Sequence, residues 1–279
     1  LDLHIMPFFQ SFKLKDIKPA VIKKWAISLS EESKLSPKSI QNVLCTLRIM
    51  LDEAVEQELI QENPVKRGRR NKRVEKNRKG ILTLEEVKEL FEPKNLQTVW
   101  NGNILHYTMN VLSCTTGMRN GEIRALKVKA VHPDFIELYY GLGRHNELQP
   151  PKNESERFIP IHEKICQLLT GCIESFTDRQ PEDFIFSLDG GKKPICHMAT
   201  LENLYKALEK IGISEPERQE RNITFHSWRY FFNTYCRGKI ADAKLQRITG
   251  HRSMGMTDHY TQFRMEDYSE IRQIQEQIL

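Results

Sequence analysis

Residues 116–126 read Thr-Gly-Met-Arg-Asn-Gly-Glu-Ile-Arg-Ala-Leu, and this stretch predicts a tight turn that opens a helix. Gly117 suits the turn because glycine adopts backbone conformations that other residues avoid. Arg119 then stands at the start of the helix, where its guanidinium and nearby backbone amides could face a phosphate. An isolated match of this kind usually marks an ordinary surface arginine, so residues farther along the chain have to support the assignment.

Four further groups of residues follow in an order that suits one reaction. Attack on a phosphodiester without a metal needs a nucleophile, groups that hold the added negative charge, and an acid that protonates the departing alkoxide. Tyrosine, arginine, histidine and lysine side chains supply these functions. The groups are Lys152 ahead of Arg157-Phe158-Ile159-Pro160-Ile161, His226-Ser227-Trp228-Arg229, Gly250-His251, and His259-Tyr260.

Tyr260 is the predicted nucleophile, because a phosphotyrosine bond conserves the energy of the broken strand and needs no ATP for rejoining. Arg119 and Arg229 are the predicted phosphate clamps, since a planar guanidinium binds two phosphate oxygens at once. Arg229 lies one helical turn after His226, which places both residues on one helix face. Most single tyrosines are packing residues, so only the combination is specific.

The remaining polar residues of the set have supporting chemistry. His226 and His251 are expected to donate hydrogen bonds to non-bridging oxygens, or to carry the tyrosine proton near neutral pH. Lys152 is the candidate general acid for the departing 5′ oxygen, although a mobile surface lysine is the usual occupant of such a long hairpin loop. Glu122 is expected to buttress the site rather than to transfer a proton, and His259 to orient the loop of the nucleophile.

Together these residues resemble the catalytic signature of the tyrosine recombinases, the integrase family typified by phage lambda integrase. The Arg-x-x-Glu-x-x-x-Leu helix of the family matches residues 119–126, and Tyr260 follows His251 at the family's spacing. The resemblance is strong from Thr83 to Gln262 and weak over residues 1–65. It implies a site-specific DNA recombinase, the integrase of a transposon, phage or other mobile element. Such an enzyme cuts and rejoins strands through a 3′-phosphotyrosine and a four-way junction.

The resemblance also implies partners. The DNA partner would be a duplex with inverted core half-sites, gripped by a clamp of two domains, with a dimer on each site and a tetramer in synapsis. Accessory DNA-bending proteins and a further N-terminal DNA-binding domain, ahead of Leu1, are expected for many integrases of this kind. No metal or nucleotide cofactor is implied.

Charge is concentrated in one run of the 279-residue chain, although the net charge is only +5. Such a run repels itself, stays extended and suits a polyanion, so it predicts DNA contact; a solvated, disordered linker is the alternative. Nine of the fourteen residues in the run are basic: Lys66, Arg67, Arg69, Arg70, Lys72, Arg73, Lys76, Arg78 and Lys79.

Other composition features indicate a cellular setting. The sequence contains neither a membrane-spanning apolar stretch nor a signal-peptide pattern, so no membrane partner is expected. The six cysteines are scattered without a CxxC pair, which favours reduced thiols over a disulfide framework or a zinc site. We therefore expect a cytoplasmic, nucleoid-associated protein of a prokaryotic host.

Apolar periodicity predicts a mainly α protein in two domains. Residues 1–65 are expected to form a small helical bundle, which the resemblance identifies with the core-binding domain of recombinases, and Asn63-Pro64 is expected to end its second long helix. Residues 66–80 are the basic linker. Residues 81–279 form a mostly helical catalytic domain, opened by a capping box at Thr83 and Glu86 and containing a small antiparallel β-sheet.

The last fifteen residues predict an amphipathic helix, because Tyr268, Ile271, Ile274 and Ile278 recur at helical spacing. The apolar stripe can dock on its own domain or on a neighbouring protomer. Tails of tyrosine recombinases are often exchanged between protomers, and the resemblance favours exchange here.

Two other functions fit parts of the pattern. A type IB-like topoisomerase uses similar tyrosine, arginine and lysine chemistry to relax supercoils, without a partner site or a tetramer. A catalytically silent DNA-binding protein could keep the fold and lose the reaction. The second alternative is disfavoured because all six catalytic positions carry competent residues.

Overall fold

The computed structural model describes residues 2–66, 80–143, 146–150, 157–250 and 268–279. Its packing divides the chain into two compact units, Leu1–Lys76 and Asn77–Leu279. Each unit has a hydrophobic core of its own. The mainly helical class predicted from the sequence is confirmed.

The first unit is a small bundle of helices around aromatic and aliphatic side chains. Phe9, Trp25, Leu47 and Leu51 are almost completely buried in its core. Ser36 caps the longest helix, as its side chain accepts a hydrogen bond from the Ser39 amide. The helices of this unit are α1 (Met6–Phe9), α2 (Pro19–Glu31) and α3 (Pro37–Glu56).

The end of α3 differs from the sequence prediction. The helix stops at Glu56, well before Asn63-Pro64, because Glu58 takes a left-handed conformation with φ of 58°. The Leu59 amide then bonds to the Ala54 carbonyl, which closes the last turn. Asn63 instead folds back and donates to Asp52 of the helix.

The second unit is mostly helical. Its first helix begins with the predicted capping box, in which Thr83 and Glu86 bond to each other's backbone amides. The helices are α4 (Leu84–Phe91), α5 (Asn95–Thr98), α6 (Ile104–Thr116), α7 (Asn120–Arg124), α8 (Glu163–Glu174), α9 (His197–Lys210), α10 (Glu215–Glu220), α11 (Ser227–Cys236), α12 (Asp242–Thr249) and α13 (Ser269–Ile278).

Helix α6 is the centre of this unit. Every residue from Leu105 to Thr116 is buried, and α6 packs against α8 and α11. One of its polar residues, Asn110, accepts a hydrogen bond of 2.8 Å from the Trp228 indole of α11. A helix that is buried all round holds the segments at its ends in fixed places, and the turn that carries Arg119 follows its C-terminus.

Two short antiparallel strand pairs accompany the helices. Strand β1 (Phe135–Leu138) pairs with β4 (Arg157–Pro160), so that Ile136 lies opposite Ile159 and Leu138 opposite Arg157. This is the pair predicted from alternation. A second pair, β2 (Gly141–Leu142) with β3 (Leu148–Gln149), was not predicted.

The last helix, α13, lies on the second unit of its own chain. Ile271, Ile274 and Ile278 are buried, and the helix packs against α4 and α6. The side-chain amide of Gln275 donates through Nε2 to the Pro160 carbonyl at 3.0 Å and to the Thr115 carbonyl at 3.3 Å. The amphipathic helix is confirmed, and within the single chain its apolar stripe covers its own domain.

Candidate catalytic site

The turn between α6 and α7 presents Arg119 as predicted. Gly117 ends α6 in the left-handed conformation, with φ of 69°. A Cβ atom at this position would lie 2.7 Å from the Phe232 ring, so both the backbone and the packing require glycine. Arg119 occupies the N-cap position of α7, and its side chain is 29% exposed.

The carboxylate of Glu122 binds both the side chain and the backbone of Arg119. One oxygen accepts from Arg119 Nη1 at 2.7 Å, and the other accepts from the Arg119 amide at 2.8 Å. The Arg119 amide is therefore already bonded within the protein. The second oxygen also accepts from Arg157 Nη2 at 2.9 Å.

Glu122 remains ionised although it is almost completely buried. Burial raises the pKa of its carboxyl, but the charges of Arg157 and Arg119 outweigh this effect and leave the pKa below its usual value. The two guanidinium groups thus keep the carboxylate charged, and the carboxylate keeps them in place.

Arg229 lies in the first turn of α11 and is buried. Its Nη1 donates to the Gly117 carbonyl at 2.7 Å, and its Nη2 donates to the Thr249 carbonyl. The pKa of Arg229 is lowered to about 10, first by burial and then by the nearby charge of Arg119, while the charge of Glu122 opposes the fall. The group therefore stays charged at neutral pH.

The C-terminal end of α12 completes the described part of the site. Gly250 ends the helix in the left-handed conformation with φ of 67°, immediately before His251. The Ile248 carbonyl accepts from Arg157 Nε at 2.9 Å, next to the Thr249 carbonyl that Arg229 holds. Two arginines therefore bind the last turn of α12.

His226 and Arg229 differ in their environment. His226 is the N-cap residue of α11 and is exposed, and its ring meets the Tyr230 ring edge-on at 5.4 Å. Arg229 lies one turn later and is buried. The helix start thus carries an exposed imidazole above a buried guanidinium.

Of the site residues predicted from the sequence, Arg119, Glu122 and Arg229 lie in one cluster, with His226 at the start of the helix that carries Arg229. Lys66, the last described residue of the first unit, is exposed. The other predicted residues lie outside the described residues: Lys152, His251, His259 and Tyr260, together with Arg67, Arg69, Arg70, Lys72, Arg73, Lys76, Arg78 and Lys79 of the basic run.

Arg157 is a member of the cluster that the sequence analysis missed. It was treated only as the start of a strand, yet it contacts both Glu122 and α12. The signal was present in the alternation of β4, which places Arg157 on the same face as buried Ile159, while Phe158 points outward at 53% exposure. A charged residue on a buried face requires a partner.

The described cluster contains three guanidinium groups and one carboxylate, so positive charge is in excess. Arrangements of this kind hold phosphate oxygens. Among residues 2–66, 80–143, 146–150, 157–250 and 268–279, no group of three or more His, Cys, Asp or Glu side chains is arranged to hold a metal ion. Over the same residues, no helix has the length and apolarity needed to cross a membrane.

The structure thus has a mostly helical second unit that contains a cluster of three arginines and one glutamate, and comparison with known families gives its relationship. Residues 81–267 match the phage integrase family, and residues 4–74 match the phage integrase SAM-like domain. The chain belongs to the phage integrase family. It is a DNA strand-transferring enzyme of the tyrosine recombinase type.

Individual relatives are distant but extend over most of the chain. A putative integrase/recombinase, y4eF of Sinorhizobium fredii, is 24% identical over 86% of this chain and 84% of its own length. The transposase of transposon Tn916 from Enterococcus faecalis is 26% identical over 88% of this chain and 63% of its own length.

Solved structures show the same fold. The Tn1549 transposon integrase in complex with a circular intermediate DNA superposes with a TM-score of 0.69, at 23% identity, over 90% of this chain and 83% of that one. A lambda integrase dimer bound to a COC′ core site gives a TM-score of 0.59 at 18% identity, over 85% of this chain and 80% of that one.

Proposed function

We propose that this chain is the integrase of a mobile genetic element, which cuts and rejoins DNA at specific sites through a 3′-phosphotyrosine on Tyr260. The observation that carries the proposal is the clustering of Arg119 and Arg229, from two distant parts of the sequence, around the turn at Gly117. The names of the relatives support the mobile element, because they include a transposon transposase and a transposon integrase.

The reaction proceeds by direct displacement at phosphorus. The Tyr260 oxygen forms a bond to phosphorus, the bond to the 5′ oxygen breaks, and Lys152 supplies the proton that the departing oxygen needs. Arg119 and Arg229 hold the non-bridging oxygens, whose negative charge increases as the fifth bond forms. Attack by the 5′ hydroxyl of another strand reverses these steps and releases Tyr260.

The histidines assist the same step. His226, exposed at the start of α11, donates a hydrogen bond to a non-bridging oxygen, and His251, directly after Gly250, acts beside it or accepts the Tyr260 proton. His259 orients the loop of the nucleophile. Glu122 takes no proton, because its lowered pKa keeps it an acceptor for Arg119.

The partner in this proposal is duplex DNA with inverted core half-sites. Two protomers bind one site and four form the synaptic complex, with domains 1–65 and 81–279 and the basic linker 66–80 all contacting DNA. Lambda integrase, a structural relative, was solved as a dimer on a core site and as a tetramer on a Holliday junction. Exchange of α13 between protomers would place the helix against α4 and α6 of a neighbouring protomer instead of its own.

The first experiment is a suicide-substrate assay. The protein is incubated with a nicked duplex that carries the element's core half-sites, and covalent adducts are separated on a denaturing gel. We expect an adduct with the wild type and none with Tyr260→Phe, while both bind the duplex with the same affinity, since only the nucleophile is lost. Loss of binding in Tyr260→Phe would show a structural role instead.

A second substrate separates recombination from supercoil relaxation. A supercoiled plasmid with two core sites gives joined or exchanged products with a recombinase, whereas a topoisomerase changes only the linking number. An absence of adduct on a duplex that the wild type binds tightly would contradict the strand-transfer function altogether.

A further inference from the structure

Arg157 is an almost completely buried arginine at the first position of β4, with 5% of its surface exposed. Its side chain binds two different elements. Nη2 donates to Glu122 of α7 at 2.9 Å, and Nε donates to the Ile248 carbonyl of α12 at 2.9 Å. A guanidinium suits this place because its donors are fixed in one plane and point to separate acceptors.

The neighbouring backbone is shaped around this guanidinium. A Cβ atom on Gly250 would lie 3.0 Å from Arg157 Nη1 and 3.2 Å from Cζ. Glycine at the end of α12 therefore serves two purposes, as it permits a φ of 67° and leaves room for the Arg157 side chain. The Arg157 guanidinium thus packs directly against Gly250, the residue before His251.

The two bonds of Arg157 lead to the two sides of the phosphate-binding cluster. On one side, Glu122 also binds Arg119, because its carboxylate accepts hydrogen bonds from the guanidinium and from the backbone amide of Arg119. On the other side, Ile248 lies two residues before Gly250, where the chain continues into His251. The side chain of Arg157, on β4, is thus bonded directly to both α7 and α12.

We propose that Arg157 is a positioning residue of the strand-transfer site, which sets the direction of the Arg119 guanidinium through Glu122 and fixes the end of α12 through the Ile248 carbonyl. Arg157 itself does not contact DNA in this arrangement. The inference rests on the proposed function, since positioning has meaning only if Arg119 holds a reacting phosphate.

A purely structural role is the competing explanation, and it makes a different prediction. Arg157 would then contribute to stability alone, and variants assayed well below their unfolding temperature would react at the wild-type rate. A positioning role predicts slow reaction in a folded protein that still binds DNA. The measured quantities are therefore adduct formation with excess protein, duplex affinity, and thermal unfolding.

The test compares Arg157→Met with a matched variant, Arg179→Met. Arg179 also donates to backbone carbonyls, those of Phe184 and Ile185, but it contacts neither Glu122 nor α12 in the described structure. We expect Arg157→Met to form adduct about a hundredfold more slowly, because small misplacements of a catalytic group have effects of this size. Duplex affinity should change little, and Arg179→Met should react like the wild type.

The pH dependence tests the route through Glu122. The charged groups that face Glu122 are Arg119 on its own helix, Arg157 on β4 and Arg229 on α11. Burial raises the pKa of Glu122, and the charge of Arg157 lowers it. In Arg157→Met the pKa of Glu122 should therefore be higher, so that Glu122 is protonated at a higher pH and no longer holds Arg119 as a carboxylate. The rate of Arg157→Met relative to wild type should therefore fall as the pH is lowered.

The double variant Glu122→Gln/Arg157→Met supplies the control for this pH effect. It lacks the titrating carboxyl, so the additional fall at low pH should disappear, and its rate should be no lower than that of the slower single variant. Arg157→Lys should restore part of the rate, since one of the two bonds can form.

The wild-type protein shows whether a negative result concerns Arg157 or the proposed strand-transfer function itself. If the wild type forms no adduct, the strand-transfer proposal itself is wrong. If the wild type reacts and Arg157→Met reacts equally fast, the positioning role of Arg157 is overturned. A slow Arg157→Met variant with the wild-type pH dependence would overturn the route through Glu122.

Discussion

At the scale of single residues, the chemistry depends on the shape of guanidinium as well as on its charge. Arg229 uses two of its nitrogen atoms to hold the Gly117 and Thr249 carbonyls, and it can still present further N–H groups to a phosphate. Lysine carries the same charge but cannot hold two carbonyls in one plane. We therefore expect that lysine cannot replace either arginine in the proposed reaction.

We accordingly expect Arg119→Lys and Arg229→Lys to lose at least a hundredfold in the rate of adduct formation, the effect of removing one preorganised donor. Single-turnover cleavage of the nicked duplex measures this rate. Arg179→Lys is the control and should react normally. Cleavage by either site variant at the wild-type rate would show that the guanidinium pair does not hold the reacting phosphate.

The sequence predicted the members of the site better than the contacts between them. Arg119, Glu122 and Arg229 were identified from motifs, because each motif is local in sequence. The bond from Arg157 to Glu122 joins residues that are 35 positions apart, and that from Arg157 to Ile248 joins residues 91 positions apart. Such contacts depend on tertiary packing, which local patterns do not specify.

At the scale of elements, α13 is held by apolar burial and by polar contacts, among them the hydrogen bonds of the Gln275 side chain and the ion pair of Arg272 with Asp134. Ile274 is 4% exposed and faces the core, whereas Gln273 on the same helix is exposed. We expect Ile274→Ala to lower the free energy of unfolding by about 2–4 kcal/mol, because it leaves a cavity. Gln273→Ala should be close to neutral. Urea unfolding of both variants measures the difference, and equal stabilities would show that α13 does not contribute to the core.

Long helices were predictable because their apolar periodicity extends over several turns. The apolar periodicity of residues 162–175 and 225–236 indicates two helices, and the structure has them at Glu163–Glu174 and Ser227–Cys236. The strands β2 and β3 were missed because two residues are too few to show alternation. The end of α3 was misplaced because a left-handed turn at Glu58 ends the helix before the proline does.

At the scale of the whole molecule, the proposed function requires that many phosphates be neutralised at once. We expect the logarithm of duplex affinity to fall steeply and linearly with the logarithm of salt concentration, by about 0.9 for each contacted phosphate. Replacing Arg69, Arg70, Lys72 and Arg73 by glutamine should make the slope shallower. Filter binding at several salt concentrations measures the slope.

A scrambled version of residues 66–79 is the matched control, because it retains the charge and changes only the order. It should keep the wild-type slope. A slope that is unaffected by removing the four charges would mean that the basic run does not contact DNA.

The burial of Arg229 has a consequence for the timing of desolvation. Only 4% of Arg229 is exposed, so its guanidinium loses most of its hydration when the chain folds. If Arg229 holds the reacting phosphate as proposed, little water around this group has to reorganise when the phosphate binds, and the electric field of the cation already exists in the free protein. The unfavourable free energy of dehydrating the cation is then met by folding rather than within the activation barrier of strand transfer.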